Sequence, residues 1–389
     1  MPSSDDSPDV SNASRLHTFW DLRSGVADDG LSRNAATFVA VTVVFAAIYA
    51  YDSLVLPVDA PLVAGWRPTV VDLLFATSLA GFTLFVVVPL WTDRERTARY
   101  WSRLRQNRLA VVSFGYLLVV FVLGLVGPIL FDSVADPARI LQPPVGFGAS
   151  EYIVSNCVGP TTDGLCRGSL QHPLGTGPYG RDMFTLVVEG MRVAVVIGFV
   201  TSMFVVPIAT IVGVSAGYLG GWVDTLTMRY VDIQQTLPAF IVYLIAIYVF
   251  GRSLFLFLLV FGLLGWGGVA RVVRSEVLSL REEPFVVAAR SAGVKRWGIV
   301  RHHILPHVRE TVVVAATRQI PLLVLVEAAI SFMNLNDMTL LSWGETIARG
   351  TQGAATVTWW VSTVPVVFLT LTVVSLSVFG DALQDVLDA

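Results

Sequence analysis

Leu109 to Phe131 read L-A-V-V-S-F-G-Y-L-L-V-V-F-V-L-G-L-V-G-P-I-L-F, a run with no charged side chain. A helix needs about 20 largely apolar residues to cross the hydrocarbon of a bilayer. Lipid offers no partner to backbone N–H and C=O groups, so a crossing segment must satisfy them internally, as a helix does. This run therefore decides the class: an all-α membrane protein. Seven more runs of the same character predict spans at roughly 36–55, 70–90, 190–217, 228–250, 254–273, 311–333 and 357–380.

The composition agrees. The chain has 389 residues, 54% hydrophobic and 14% charged, with a mean hydropathy of +0.68. A soluble domain carries about 25% charged residues. Length alone would predict two or three soluble domains; the apolar runs override that. Disorder, collagen, coiled coil and a disulfide-rich scaffold are excluded. The net charge of −3 gives no basic surface for nucleic acid.

Orientation follows from basic residues near the spans. With the N-terminus inside, the cytoplasmic segments hold seventeen Arg and Lys against six in the external ones. Eight spans then return the C-terminus to the cytoplasm. The first span is expected not to be a cleaved signal peptide, because a polar stretch of about 35 residues precedes it. Residues 1–35 read as a cytoplasmic tail, 36–98 as a two-span hairpin, 99–131 as the first core span and 132–185 as an extracytoplasmic loop. Residues 186–389 form the remaining core, with a basic cytoplasmic segment at 274–310.

That segment contains R-E-E-P-F-V-V-A-A-R-S-A-G-V-K-R-W-G-I-V-R-H-H-I-L-P at 281–306. Pro284 suits a first helical turn. Gly293 is a natural stop, since glycine adopts the left-handed cap freely. A second amphipathic stretch follows, and Pro306 is expected to close it. The prediction is a short helix–turn–helix between two spans.

The segment resembles the EAA loop of ABC-importer permeases. Ala288, Ala289, Gly293, Leu305 and Pro306 stand at the motif positions. Val287 replaces the motif Glu, and His303 the first Ile. The resemblance extends along the chain. His172-Pro173-Leu174-Gly175-Thr176 with Gly180-Arg181-Asp182 is similar to the HPLGTDxxGRD signature of the dipeptide/oligopeptide/nickel branch. Gly217 to Asp224 is similar to its GYxGGWxD turn, and Asp232 with Leu237-Pro238 to the next segment. Glu327-Ala328, Ser331-Phe332, Ser342-Trp343-Gly344 and Gly380-Asp381 match later motifs. Residues 100–389 are covered, and 1–98 fall outside.

The resemblance implies a six-helix type I permease core with an N-terminal two-helix extension. It implies a permease subunit paired with a homologous second permease, served by an external solute-binding protein and driven by two ATP-binding subunits. Those subunits would dock on 284–306 through Val287, Ala288, Ala289 and Arg290. The chain itself is expected to hold no cofactor or metal and to be no enzyme, with ATP and Mg bound on the partners. A P-loop needs a glycine-rich turn leading into Lys. Lys295, the only lysine, sits in Gly-Val-Lys-Arg-Trp. Peptides are the expected cargo; nickel or an oligosaccharide would use the same machinery. A self-sufficient secondary transporter would instead need several ion-binding carboxylates on broken helices.

Remaining polar residues yield narrower expectations. Glu327 and Arg318 lie half a turn out of phase and cannot simply pair. Arg192 and Glu189, three apart, can pair locally. Gly213, Gly217 and Gly221 are spaced for close helix contact and a glycine-rich turn. Cys157 and Cys166 share the external loop, where a disulfide is permitted. The external His172–Asp182 region and the loop 334–356 are candidate faces for solute delivery.

Overall fold

The computed structural model describes residues 33–54, 68–131, 134–337, 340–351 and 357–387. Most of the expected tail 1–35 and parts of the 132–185 and 334–356 loops lie outside the described residues. Among the described residues, seven helices are long and apolar enough to span, and one bent pair adds an eighth candidate. They are α1 (Arg33–Leu54), α2 (Val70–Thr92), α4 (Arg108–Leu130), α5 (Met183–Leu219), α8 (Leu254–Leu280), α10 (Arg296–Phe332) and α12 (Trp360–Leu387). The bent pair is α6 (Gly221–Thr236) with α7 (Ala239–Phe250). Three shorter helices complete the set: α3 (Arg94–Leu104), α9 (Pro284–Ser291) and α11 (Trp343–Thr351).

One span expectation and one helix-end expectation need correction, both because of proline. The run 228–250 is not one helix; α6 and α7 meet at 71°. Leu237 is extended at φ −79° and ψ 115°, the conformation that a following proline imposes. Pro306, by contrast, does not close a helix. The chain runs on from Arg296 to Phe332, with a π turn over Val300–Ile304 just before the proline. A proline ring would press on the carbonyl four residues back, and a widened turn relieves that contact. The same device recurs in α2, where the π turn Thr83–Val87 precedes Pro89.

The core is a seam between α5 and α8. A Cβ on Gly213 would stand 2.6 Å from Val273 Cβ and 2.7 Å from the Ala270 carbonyl oxygen. A Cβ on Gly217 would stand 2.8 Å from Val277 Cβ. Absence of side chains thus lets the two backbones approach. Gly221 stays outside this seam; it opens α6 at φ +57°. α4, α10 and α12 pack around this pair.

The N-terminal hairpin α1–α2 rests on α5. Phe75 and Phe82 of α2 meet Phe199 edge-on, and Phe121 of α4 joins them. Asp72 accepts a hydrogen bond from Arg192 at 3.0 Å. Arg192 thus makes its ion pair with the hairpin, not with Glu189, because Asp72 is presented sideways by the capping box at the start of α2. Arg318 pairs with Asp381 of α12 at 3.0 Å.

The loop before α5 holds a three-stranded antiparallel sheet, ordered β1 (Gly148–Ser150), β3 (Leu165–Arg167), β2 (Thr161–Thr162). Cys157 and Cys166 are joined as a disulfide, with Cα atoms 5.7 Å apart. The bond ties the loop ahead of β2 to β3.

Candidate functional site

The α9 end of the bundle is built around one short helix. Pro284 opens α9, with its missing N–H at a position that needs no partner. Gly293 at φ +78° ends it. Gly293 donates to the Arg290 carbonyl at 3.0 Å and Val294 to that of Ala289 at 3.1 Å. These two bonds form the left-handed cap that uses up the last free carbonyls. Val286 is fully buried and Ala289 half-buried, so this face seats α9 on the bundle. Val287, Ala288 and Arg290 are exposed. Phe285 stacks on His307 at 5.3 Å and also meets His303. The His in place of the motif Ile is therefore part of the seat. Leu305 is partly exposed, and Pro306 lies in the first turn after the π segment.

Two struts tie together the long helices that α9 follows. Asp224 near the start of α6 receives two hydrogen bonds from Arg274 of α8, the Nη2 one at 2.6 Å. Such a fork geometry fixes direction as well as distance. Arg281, at the end of α8, donates to the Gly217 carbonyl at 3.3 Å. α9 is joined in sequence to α8 through Arg281–Glu283 and to α10 through the turn after Gly293, and α8 is in turn held to α6 by Asp224.

At the opposite end, the HPLGT and GRD residues form one clamp. Asp182 caps α5, accepting from Phe184 N–H at 2.7 Å. Its other oxygen bonds His172 Nδ1 at 2.6 Å. Arg139 approaches His172 Nε2 at 3.4 Å and can only donate, so the ring proton belongs on Nδ1. Thr176 is fully buried; its hydroxyl donates to the Arg139 carbonyl and accepts from Gln142 N–H at 2.8 Å. Trp360 of α12 donates to the Thr176 carbonyl at 3.1 Å. Gly175 at φ +81° leaves room for that indole, and Gly180 at φ +70° lies against the Asp136 carbonyl. Arg181 stands apart from the clamp. Its buried Nε has no hydrogen-bond partner among the described residues. Asp182→Ala is expected to lower stability by about 2 kcal/mol, combining a lost cap and a lost partner for His172. Asp182→Asn should lose about half of that, because it keeps the capping oxygen. Thermal unfolding in detergent checks both.

Beside this clamp lies a buried polar group. Glu327 of α10 accepts from the Ser331 hydroxyl at 2.6 Å and from Asn336 Nδ2 at 3.2 Å. Ser342 lies nearby and accepts from Glu345 N–H at 3.3 Å at the start of α11. These side chains hold the chain leading into α11. Trp343 then donates to the Val187 carbonyl of α5 at 3.1 Å and lies over Gly190, where a Cβ would strike the indole. Gly344 sits on the Ala328 carbonyl.

The structure brings His172, Gly175, Gly180 and Asp182 together in the clamp, seats Gly217 and Asp224 at the α9 end, and buries Glu327 beside α11. The sequence reading missed Gln142, Thr176 and Trp360 as a node. It also read 334–356 as a loop, whereas Trp343–Thr351 is a helix with a buried face. The clue was Trp343-Gly344 beside an alternation of small residues, which gains meaning only opposite Gly190 and Ala328.

Residues 209–389 match the family model described as binding-protein-dependent transport system inner membrane component. Residues 96–144 match the N-terminal TM domain of oligopeptide transport permease C. The oligopeptide transport system permease protein OppC of Haemophilus influenzae is 31% identical over 300 residues, which cover 77% of this chain and 88% of that protein. The dipeptide transport system permease protein DppC of Bacillus subtilis is 29% identical over 289 residues, covering 74% and 84%. A chain from inward-facing conformations of the MetNI methionine ABC transporter aligns with a TM-score of 0.42 and 22% identity, covering 52% of this chain and 97% of that one. Matches to both models, with a relative above 30% identity aligned over most of its length, lead to one conclusion: the chain belongs to the binding-protein-dependent transport system inner membrane component family, the permeases of ABC importers.

Proposed function

We propose that this chain pairs with a homologous second permease to form the path for di- and oligopeptides. An extracytoplasmic solute-binding protein delivers the cargo, and two separate ATPase subunits supply the work. The cargo reading is supported by relatives that are named dipeptide and oligopeptide permeases. The α9 end faces the cytoplasm in this reading, as the seventeen-to-six excess of basic residues supports. Both termini then lie inside the cell, in a multi-pass chain of the cytoplasmic membrane. Residues 36–98 form an accessory hairpin outside the six-helix core.

One observation carries the coupling role: α9 turns a narrow face of Val287, Ala288 and Arg290 outward while Val286 and Ala289 anchor it. A short helix with small outward side chains fits a groove on a partner. Closure of two ATPase subunits on ATP and Mg would draw two such helices together. Through the struts at Asp224 and Arg281, that movement would rock α5, α6 and α8 between inward-open and outward-open forms. The His172–Asp182 clamp and α11 lie at the far end, where the binding protein would deliver.

Purification from native membranes in mild detergent tests this. Recovery of P-loop ATPases together with a second permease is the expected result. Recovery of the chain alone, with transport after reconstitution without ATPase, would overturn it.

A further inference from the structure

The short helix α3 joins the end of α2 to the start of α4, so it sits where two spans leave the membrane on the α9 side. Asp93 breaks the chain at φ −100° and ψ 76°, and caps α3 through Arg96 N–H. At 100° per residue, Thr97, Tyr100, Trp101 and Leu104 share one face. Tyr100, Leu104 and Thr97 are half-buried, and Trp101 packs edge-on against Phe114 of α4. Arg94 and Arg105 border this face on one side, Arg96 and Arg103 border it on the other, and Arg99 lies on the back of the helix. Residues 93–108 hold six arginines against two carboxylates, Asp93 and Glu95.

Few of these charges are used inside the protein. Arg103 donates to the Val386 carbonyl at the end of α12, and Arg96 pairs with Asp93 on the exposed surface. Arg94, Arg99, Arg105 and Arg108 are exposed, with no side-chain hydrogen bond or ion pair among the described residues. Next to them, Trp91 is 75% exposed at the end of α2 and Trp101 is 42% exposed. Tryptophan prefers the headgroup level, where its ring meets apolar and polar surroundings together.

We propose that α3 is a lipid-binding helix that holds anionic phospholipid headgroups through Arg94, Arg96, Arg99 and Arg105. Arginines flanking an apolar face, as Arg94, Arg96 and Arg105 do, can keep their stems in the acyl boundary and their guanidinium groups at the phosphates, and Arg99 on the back of the helix adds to the positive field. The occupant is a lipid and not free phosphate, because the indoles of Trp91 and Trp101 and the two spans place the charges at headgroup depth. Clusters of four or more arginines beside a span attract anionic lipid through charge. The assignment is independent of the transport reading.

The test compares the purified full chain in discs of phosphatidylcholine alone and in discs that also contain phosphatidylglycerol. Thermal unfolding and lipids retained in native mass spectrometry are the readouts. Phosphatidylglycerol should raise the unfolding temperature and be preferentially retained, less so in high salt. Inorganic phosphate added to phosphatidylcholine discs should do neither. The variant Arg94→Gln/Arg96→Gln/Arg99→Gln/Arg105→Gln should unfold as before in phosphatidylcholine, with its preference for phosphatidylglycerol reduced at least about tenfold. The four corresponding Arg→Lys changes should keep it. No preference in the unaltered chain would overturn the proposal, a comparison that needs no variant. An equal rise with inorganic phosphate, or an unchanged preference in the glutamine variant, would do the same. If that variant lost a co-purifying protein while keeping its lipid preference, α3 would be a protein-docking helix instead.

Discussion

Ala288→Trp is expected to abolish uptake while leaving the bundle folded. Ala288 is exposed on α9, and its neighbours on that face, Val287 and Arg290, are exposed as well. An indole there fills the space a partner's groove would need and touches nothing the fold depends on. A blocked central contact in an interface costs about 2–4 kcal/mol. ATPase retention should therefore fall by about thirtyfold to a thousandfold, and uptake with it. The unfolding temperature should stay put. Ala289→Trp is the instructive contrast. Ala289 packs inward with Val286, so a large side chain there unseats α9 and lowers stability too. Gly293→Pro acts by a third route: the cap needs φ +78° and an N–H bonded to Arg290, and proline can supply neither. Full ATPase retention in Ala288→Trp would remove α9 from the coupling path.

These three substitutions separate because α9 has two faces, and the sequence showed only that a helix was there. Ala288 and Ala289 look alike in sequence. Which one points outward depends on how α9 lies on α10, including the Phe285–His307 contact.

What was legible in the sequence was whatever lipid or local stereochemistry dictates. Eight apolar runs predicted eight spans, because no other backbone is tolerated in hydrocarbon. Gly293 announced its cap for a similarly local reason. Proline was less transparent, since its effect depends on what precedes it. Pro238 breaks a span behind the polar run Asp232, Gln234 and Gln235, whereas Pro306 and Pro89 are absorbed by π turns. Long-range partners were hidden altogether. Asp72 and Arg192 are 120 positions apart, and Trp360 and Thr176 are 184 apart. Nothing local marks such pairs. The helix α11 escaped because nine residues cannot span a bilayer and its apolar face is short.

That hidden helix gives the other large effect. In Gly344→Val the new side chain would occupy the Ala328 carbonyl, and its Cβ would lie 2.7 Å from Ala328 Cα. Both obstacles are backbone within a long helix, so neither can swing aside as a side chain would. Relief requires α11 to leave its place between α5 and α10, taking Trp343 from Val187. Overpacking of this kind costs about 1–3 kcal/mol or more, so the unfolding temperature should fall and uptake should be largely lost. Glu327→Leu should loosen the same helix by another path. Ser331 and Asn336 would lose their shared acceptor in a buried place, at a cost of about 1–3 kcal/mol for a donor left without a partner. Glu327→Gln should be milder, since an amide oxygen can still receive the Ser331 hydroxyl and Asn336 can turn its own amide. Because α11 and α9 lie at opposite ends of α10, ATPase retention should survive in all three variants. That retention distinguishes a failed far-end seal from a failed drive. If Gly344→Val instead shed the ATPases together with uptake, the two ends of α10 would answer to a single packing unit, and the division into a drive end and a delivery end would be wrong.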